Sequence, residues 1–361
     1  MQPLKTLSSL VVFICILITN SYAQTPVKNY EKDWKKIDEL ISKKNLPKSA
    51  LIAVKKIYTL AKKEKQDAQV IKAIVYMIGL QRETREENET LTIKDIEKEI
   101  AASNEPVVSI LKSLEAEIYQ NYFENNRWKL YDRTETNQFK KDDLATWSAG
   151  DFFKKISDLY LHSIKNEKLL QETKLAPFDA IIIKGNVRQL RPTLYDLLVH
   201  RALEYFKSDE KDLDKPAYSF EIDQASAFDP AADFVTRKFV TRDSFSLQHK
   251  ALLLYQQLIA FHLKDVRPDA LLDADIDRLE FIHQNSTHPD KEELYRLALN
   301  HITNQYANHP AAQQAWYLLA KKYNEEAAEY KPFGDTTGRY KRIKAKEICE
   351  KVITQKDSSE G

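Results

Sequence analysis

The sequence predicts an all-α protein built from stacked helix hairpins with one irregular insertion. Only six glycines occur among 361 residues. This scarcity disfavours the tight turns and bulges of a β-rich fold, because these use the positive φ angles that glycine adopts most easily. Apolar residues recur every three or four positions along most of the chain, as on the buried face of an amphipathic helix. Several of these stripes begin at a proline, which fits the first turn of a helix.

Residues 1–23 are predicted to be a signal peptide. Lys5 supplies the positive charge, residues 10–18 form a short apolar core, and Ser21 and Ala23 are small residues of the kind that a signal peptidase reads. The apolar run is shorter than the ~20 residues that a spanning helix needs, and an uncleaved N-terminal anchor is the alternative. We expect export to the periplasm or cell envelope of a Gram-negative bacterium, with no membrane insertion after cleavage.

Cysteine usage agrees with this location. Cys15 lies in the predicted signal peptide, so Cys349 is the only cysteine of the expected mature chain and no intrachain disulfide can form. An exported chain of this size without a disulfide suits a periplasm better than the extracellular space. Cys349 shares helical spacing with Ala345 and Val352, and we predict that its thiol is buried in the core.

The helical domain is predicted to span residues 24–355. It begins with an apolar stripe from Trp34 to Ile41, and Pro47 opens the second helix. The densely charged run at 82–89 is predicted to be a solvated helix end and loop. Further helices are expected at 70–78, from about Thr92, and at 106–119, 152–164 and 192–206.

Three stretches interrupt the helical periodicity. Residues 124–150 are irregular and rich in aromatic side chains, and the apolar run at 180–183 fits either a short strand or a buried turn. Residues 208–245 are the least helical part, with Pro216, Pro230 and an alternating apolar pattern that is typical of a short hairpin. We predict a long excursion there that lies across the helices, with a subdivision of the domain as an open alternative.

The C-terminal third is the most regular part. The polar residues 356–361 are predicted to be a flexible tail or a linker to a further C-terminal part, and a natural terminus is the alternative. Helix-length stripes, three of which begin with proline, run over 247–263, 268–283, 289–306, 310–330 and 342–354.

Both ends of the chain resemble tetratricopeptide repeats. In that pattern an aromatic residue and a Leu lie three residues apart on one helix, and small residues mark the next. Trp34 followed by Ala50 matches the pattern near one end, and Trp316, Leu319 and Ala320 match it near the other. No even period joins them across the middle of the chain. The resemblance implies a degenerate tetratricopeptide-like superhelix, and an irregular all-α domain is the alternative.

Sequence motifs for known chemistry are nearly absent. The six glycine positions allow no phosphate-cradling loop. The balance of 55 Lys and Arg against 54 Asp and Glu disfavours a nucleic-acid partner, which needs a basic face. No two histidines lie four residues apart, so no zinc pair on a helix is predicted. We predict no catalytic, cofactor-binding or metal-binding residue, no cofactor, and no enzymatic activity.

One acidic run resembles the start of a calcium loop. Asp273, Asp275 and Asp277 occupy its first three ligand positions, but the loop then needs Gly and Glu where this chain has Arg278 and Gln284. On a helix Asp273 and Asp277 share one face, while Asp275 points elsewhere. We therefore predict a solvated acidic face near a helix N-terminus.

The abundance of tyrosine, 18 residues, leaves a second function class open. Aromatic-rich clefts with a pair of acids occur in sugar-active enzymes. A stand-alone periplasmic hydrolase or sugar-binding protein of all-α fold is therefore the alternative. It predicts an acidic cleft lined by tyrosines, with two facing carboxylates at its bottom. Aromatic residues at helical spacing are more often packed between helices.

Four segments carry a family resemblance: YEKDWKKIDEL at 30–40, YMIGLQRETR at 76–85, and residues 149–160 and 220–238. With the general character of nearly the whole chain, they resemble the N-terminal helical region of the large alpha-2-macroglobulin-like proteins of Bacteroidetes. Members of that family continue into β-sandwich domains, a bait region and sometimes a Cys-Gly-Glu-Gln thioester. No such string occurs here, so no functional residue is carried over.

The resemblance implies a non-catalytic scaffold or interaction region of a protease-trapping protein of the cell envelope, as a truncated or separately encoded N-terminal part. Its partners would be the other domains of a larger macroglobulin-like chain or envelope proteins. The balanced charge favours docking by shape and aromatic contact. We expect the exposed contact residues within 128–147 and 220–245, and burial of these aromatic residues between helices is the alternative.

Overall fold

A computed structural model describes residues 29–82, 88–131, 143–185, 187–208 and 217–355. Fourteen α-helices lie within these ranges, which confirms the predicted all-α class. In chain order, α1 to α14 cover Glu31–Ser42, Pro47–Lys63, Asp67–Arg82, Asn88–Ala101, Val107–Tyr131, Ala149–Ser163, Glu167–Glu172, Leu194–Phe206, Ala231–Phe234, Leu247–His262, Asp269–Asn285, Lys291–Gln305, Gln313–Ala328 and Lys341–Ile353.

Several sequence predictions fall on other parts of the chain. The predicted signal peptide at 1–23 with Cys15, the tail at 356–361 and most of the charged run at 82–89 lie outside the described residues. Among the helices that are described, none is both long and apolar enough to cross a membrane.

Short polar motifs in the sequence set where several helices begin. Pro47 occupies the first turn of α2, as predicted. Reciprocal capping boxes start α6, between Ser148 and Asp151, and α8, between Thr193 and Asp196. In each box the hydroxyl of the Ser or Thr accepts a hydrogen bond from the backbone N–H of the Asp. The Asp carboxylate in turn accepts one from the backbone N–H of the Ser or Thr. Such a cap stabilises a helix by about 1 kcal/mol.

The helices pack mainly against their neighbours in the chain. The hairpins α2–α3, α5–α6 and α13–α14 have the most extensive contacts, and α10, α11 and α12 follow one another in the same way. Helix α8 contacts α5 and α6 as well as α10, and it thereby links the N-terminal helices to the C-terminal ones. Contacts between consecutive elements are typical of helical arrays. The buried apolar residues form one connected cluster from Tyr30 to Ile348.

Helix α5 runs further than predicted and leads into an aromatic core. It extends to Tyr131, so the first part of the stretch predicted to be irregular is helical. Trp147 is buried and stacks on Tyr119, with ring centroids 5.5 Å apart, and Phe152 packs against both. Trp128, by contrast, is 81% exposed. The apolar run at 180–183 is a turn and not a strand.

The predicted hairpin does not form in residues 217–245, the part of the excursion that the structure describes in full. This part has a short 3₁₀ turn, the single-turn helix α9, and one isolated bridge between Ile222 and Ser286. The amide of Gln256 in α10 donates to the backbone carbonyls of Phe234 and Arg237, both at 2.8 Å. These carbonyls are therefore not available to a partner strand. Phe234 is fully buried, which supports the buried alternative for this aromatic residue.

The C-terminal helices lie where the sequence predicts them, with ends shifted by a few residues. Helices α11 and α12 begin just after Pro268 and Pro289, and Pro310 opens a 3₁₀ turn before α13. The stack of adjacent helices is thus established. The finer likeness to tetratricopeptide repeats stays a prediction.

Candidate functional site

A cleft lies between α8, α11 and the irregular segment 175–193. An ion pair between Arg191 Nε and Asp273 Oδ2, at 2.9 Å, crosses it. One cavity of about 250 Å³ lies on the side of Pro310, and a second of about 400 Å³ lies on the side of Arg201. We call the two together the Arg191 cleft, with an acidic part and a basic part.

Local structure fixes the position of the groups around Asp273. The capping box of α8 makes Asp196 the third residue of the helix, and His200 follows one turn later. Its Nδ1 lies 2.8 Å from the backbone carbonyl oxygen of Asp196, to which it donates a hydrogen bond. The other ring nitrogen, Nε2, is thereby directed to Asp273 Oδ2 at 3.5 Å.

The acidic part is lined by four carboxylates from one face of α11. They are Asp269, Asp273, Asp277 and Glu280. The first three are paired: Asp269 with Arg267, Asp273 with Arg191, and Asp277 with Lys207 and the hydroxyl of Tyr255.

The shared face of Asp273 and Asp277 agrees with the sequence prediction, but the predicted solvated face is wrong. The side chain of Asp273 is only 12% exposed. Asp275 is buried as well, against Arg278. The reason is that segment 187–191 covers this part of α11, which the local sequence of the helix does not reveal.

Two carboxylates of the acidic part have pKa values shifted in opposite directions. Burial opposes ionisation of Asp273, but the contacts with His200 and Arg191 outweigh it and lower its pKa. Burial and the nearby charge of Asp277 raise the pKa of Glu280, which makes no hydrogen bond or ion pair with any described residue.

These two carboxylates lie seven residues apart on one helix. The hydrolase alternative predicts two carboxylates that face each other across a cleft. The ion pair with Arg191 also occupies Asp273.

The basic part combines positive charges with an apolar wall. Lys184, Arg188, Arg191 and Arg201 line it, together with His200 and the carboxylates of Asp273 and Glu204. Its apolar wall consists of Leu175, Ile182, Val187, Leu190 and Leu197, with Ile183 at the rim.

One carboxylate serves two of these cations. Asp179 accepts from Lys184 Nζ at 2.8 Å and from Arg188 Nη2 at 2.6 Å. The hydrogen bond from Lys184 and the contact with Arg188 lower the pKa of Asp179. The second terminal nitrogen of Arg188, Nη1, is shielded from solvent and has no acceptor among the described residues.

A fully buried arginine joins the excursion to the cleft helix. Arg278 Nη2 lies 2.6 Å from Asp275 Oδ1, and the guanidinium donates to the carbonyls of Ala227 at 2.7 Å and Asp229 at 3.0 Å. The guanidinium also lies over the ring of Phe234, 4.2 Å from its centroid. Because its hydrogen bonds go to the excursion, Arg278 holds this segment against α11.

A buried histidine links α8 to the end of α10. His262 Nε2 lies 2.7 Å from Asp196 Oδ1, and Nδ1 lies 2.7 Å from Asp265 Oδ2. Burial disfavours the charged ring, but the two carboxylates outweigh burial and raise the pKa of His262. The imidazolium therefore binds both acids, and Asp196 serves this contact and the helix cap at the same time.

The described residues contain no group of three or more His, Cys, Asp or Glu side chains arranged to hold a metal ion. Cys349 is exposed, so its predicted burial is wrong. Ala345 and Ile348 form the face of α14 that packs against α13. One residue is a rotation of about 100° in a helix, which turns Cys349 away from that face.

Two further open cavities lie at the ends of the chain. The first, about 580 Å³, is lined by Tyr30, Trp34 and polar residues of α1 and α3. The ammonium of Lys72 lies 4.8 Å from the ring centroid of Trp34 and covers its face, so this ring is not a free stacking platform for a sugar. The second, about 640 Å³, lies between α12, α13 and α14 around Tyr323.

Sequence reasoning singled out none of the four cations of the basic part as site residues. Its cations lie in a stretch without clear periodicity, and their partners are distant in sequence. The density of Lys184, Arg188 and Arg191 around an apolar run was the available signal. Comparisons with family models, curated proteins and solved structures found no match to this chain.

Proposed function

We propose that the chain is a non-catalytic helical scaffold of the cell envelope, the N-terminal helical part of an alpha-2-macroglobulin-like protein. The packing of consecutive helices supports this proposal most directly, because such arrays present long, semi-rigid surfaces to partner proteins. In the acidic part of the Arg191 cleft, three of the four carboxylates have basic partners. Such paired acids favour a structural role over proton transfer.

The proposal is tested first by activity. The purified chain is incubated with chromogenic glycosides and with fluorogenic peptides. We expect no turnover above the buffer rate. Turnover that is lost in a Glu280→Gln variant would overturn the non-catalytic assignment, because Glu280 is the cleft carboxylate with a raised pKa. Turnover that persists in that variant would also overturn the non-catalytic assignment, and it would indicate a catalytic site elsewhere in the chain.

The macroglobulin part of the proposal is tested by the coding context. We expect macroglobulin-like β-sandwich domains in the same reading frame as this chain or in an adjacent one. If neither frame encodes such domains, the family assignment fails, and only a stand-alone helical scaffold remains.

A further inference from the structure

We propose that the basic part of the Arg191 cleft binds an acidic, amphipathic peptide segment, in which carboxylates alternate with large apolar side chains. The inference rests on the proposed scaffold function, since it names the chemistry of the partner. It follows from the charge distribution of the cavity, from the hydrogen bonding of Arg188, and from the apolar wall.

The charge distribution favours an anionic ligand at the end of the cavity formed by Lys184 and Arg188. Four cationic side chains and two carboxylates line the basic part. Arg191 and Arg201 each have a carboxylate of their own, Asp273 and Glu117. Lys184 and Arg188 share the single carboxylate of Asp179, so positive charge exceeds negative charge by one at this end. The carboxylate of Glu204, on α8 with Arg201, is the remaining acid of the lining.

The geometry of Arg188 indicates where a ligand carboxylate would bind. Its Nη2 donates to Asp179, while Nη1 is shielded from solvent without an acceptor among the described residues. A guanidinium presents a fork that binds a carboxylate with two parallel hydrogen bonds. Asp179 fills part of this fork in the free chain. Because Nη1 is shielded from solvent, a carboxylate of the partner would have to displace Asp179 from Nη2.

The apolar wall favours a peptide over a small anion. Leu175, Ile182 and Leu197 line the cavity beside the cations, and Ile183 at the rim is 99% exposed. A volume of about 400 Å³ accommodates a few side chains. An extended segment places its carboxylates on the cations and its apolar side chains on the wall, which inorganic phosphate cannot do.

The test uses three fluorescein-labelled peptides of equal length and the purified chain, with anisotropy as the readout. The first peptide alternates Asp or Glu with Leu or Phe, the second has Lys in place of the acids, and the third has Ser in place of the apolar residues. We expect the first to bind at least about tenfold more tightly than either of the others, and less tightly at high salt. Equal affinity for the first two peptides would overturn the proposal. Binding of inorganic phosphate in competition, with no preference for the apolar side chains, would overturn it as well.

Two variants shift the affinity in opposite directions. The double variant Lys184→Glu with Arg188→Glu is expected to weaken binding of the first peptide at least about tenfold. Lys346→Glu, at a side chain on α14 that is 74% exposed, is the control and should leave binding unchanged. Asp179→Asn removes the competing carboxylate and is expected to tighten binding severalfold. Unchanged or weaker binding by Asp179→Asn would contradict the proposal, and a merely misfolded variant would not produce the tighter binding.

The outcomes also separate this site from the scaffold function. A peptide that binds here but is hydrolysed would overturn the non-catalytic proposal and leave the site standing. A chain that hydrolyses nothing and binds none of the three peptides would overturn the site and leave the scaffold proposal standing.

Discussion

Replacing Arg278 with Met is expected to destabilise the protein more than almost any other single substitution. The change removes the partner of the buried Asp275 carboxylate and the donors to the carbonyls of Ala227 and Asp229. Loss of one partner of a buried ion pair costs about 3–5 kcal/mol, because the other charge stays buried without compensation. The free-energy cost of losing the hydrogen bonds to the two carbonyls is included in this range. It is not added again, because the contacts of one side chain are not additive.

The pH dependence of this variant follows from Asp275. Burial already raises its pKa in the native protein, and Arg278 counteracts that rise. Without Arg278 the folded-state pKa lies further above the unfolded value, so the native state binds more protons than the unfolded state. Stability of the variant then falls as the pH rises above about 4. We expect a larger loss relative to the unmodified protein at neutral pH than at mildly acidic pH.

Urea unfolding followed by circular dichroism measures the loss, and limited proteolysis reports on residues 217–246. We expect cleavage within this segment before the rest of the chain unfolds. The double variant Asp275→Leu with Arg278→Met should be more stable than Arg278→Met alone, because no orphaned carboxylate remains. A loss below about 1 kcal/mol for Arg278→Met, or a double variant no more stable than the single one, would refute the reasoning.

Three further predictions concern separate sites. His262 has a raised pKa, so its contribution to stability is complete below the unfolded pKa of about 6.5 and is lost as the pH rises through the folded pKa. The urea midpoints of the unmodified protein and of His262→Gln should therefore differ more at pH ~6 than at pH ~9. An equal difference at both pH values would contradict this prediction. A Cβ on Gly338 would lie 2.6 Å from the carbonyl oxygen of Glu326, so Gly338→Ala should destabilise the protein by about 1–3 kcal/mol in thermal unfolding. Gly334→Ala, whose Cβ would make an ordinary contact at 3.4 Å with Lys331, is the matched control with a small expected effect. Cys349 is exposed and should react with Ellman's reagent in the native protein as fast as in urea, whereas a thiol that reacts only after unfolding would contradict its placement.

The positions of the helices followed from apolar periodicity, because one face of each helix is buried against its neighbours. Pro47 and the C-terminal stripes illustrate this agreement. The predicted helix ends were less accurate, since a single side-chain cap can determine where a helix begins. Ser148 and Asp151 start α6 three residues before the predicted start at 152, for example.

Local sequence patterns could not predict the candidate site. Arg191 and Asp273 are 82 positions apart, so no spacing rule connects them. The hairpin expected within 208–245 does not form for a similar reason, because Gln256, a distant side chain, binds the backbone carbonyls of Phe234 and Arg237. Periodicity predicts which face of an element is buried, but it does not predict which distant polar group will meet it.

The order of contacts along the chain has a consequence for the way the protein folds. A helix that packs against its immediate neighbours closes only short loops, so the first five or six helices can fold as soon as they emerge from the ribosome. The central region folds later, because its contacts are distant in sequence. His262 reaches back 66 positions to Asp196, and Ser286 reaches back 64 positions to Ile222. Until α10 has emerged, α8 lacks His262, and until the end of α11 has emerged, the excursion lacks Ser286. During this interval both expose apolar faces, and the chain is most accessible to a holding chaperone or a protease.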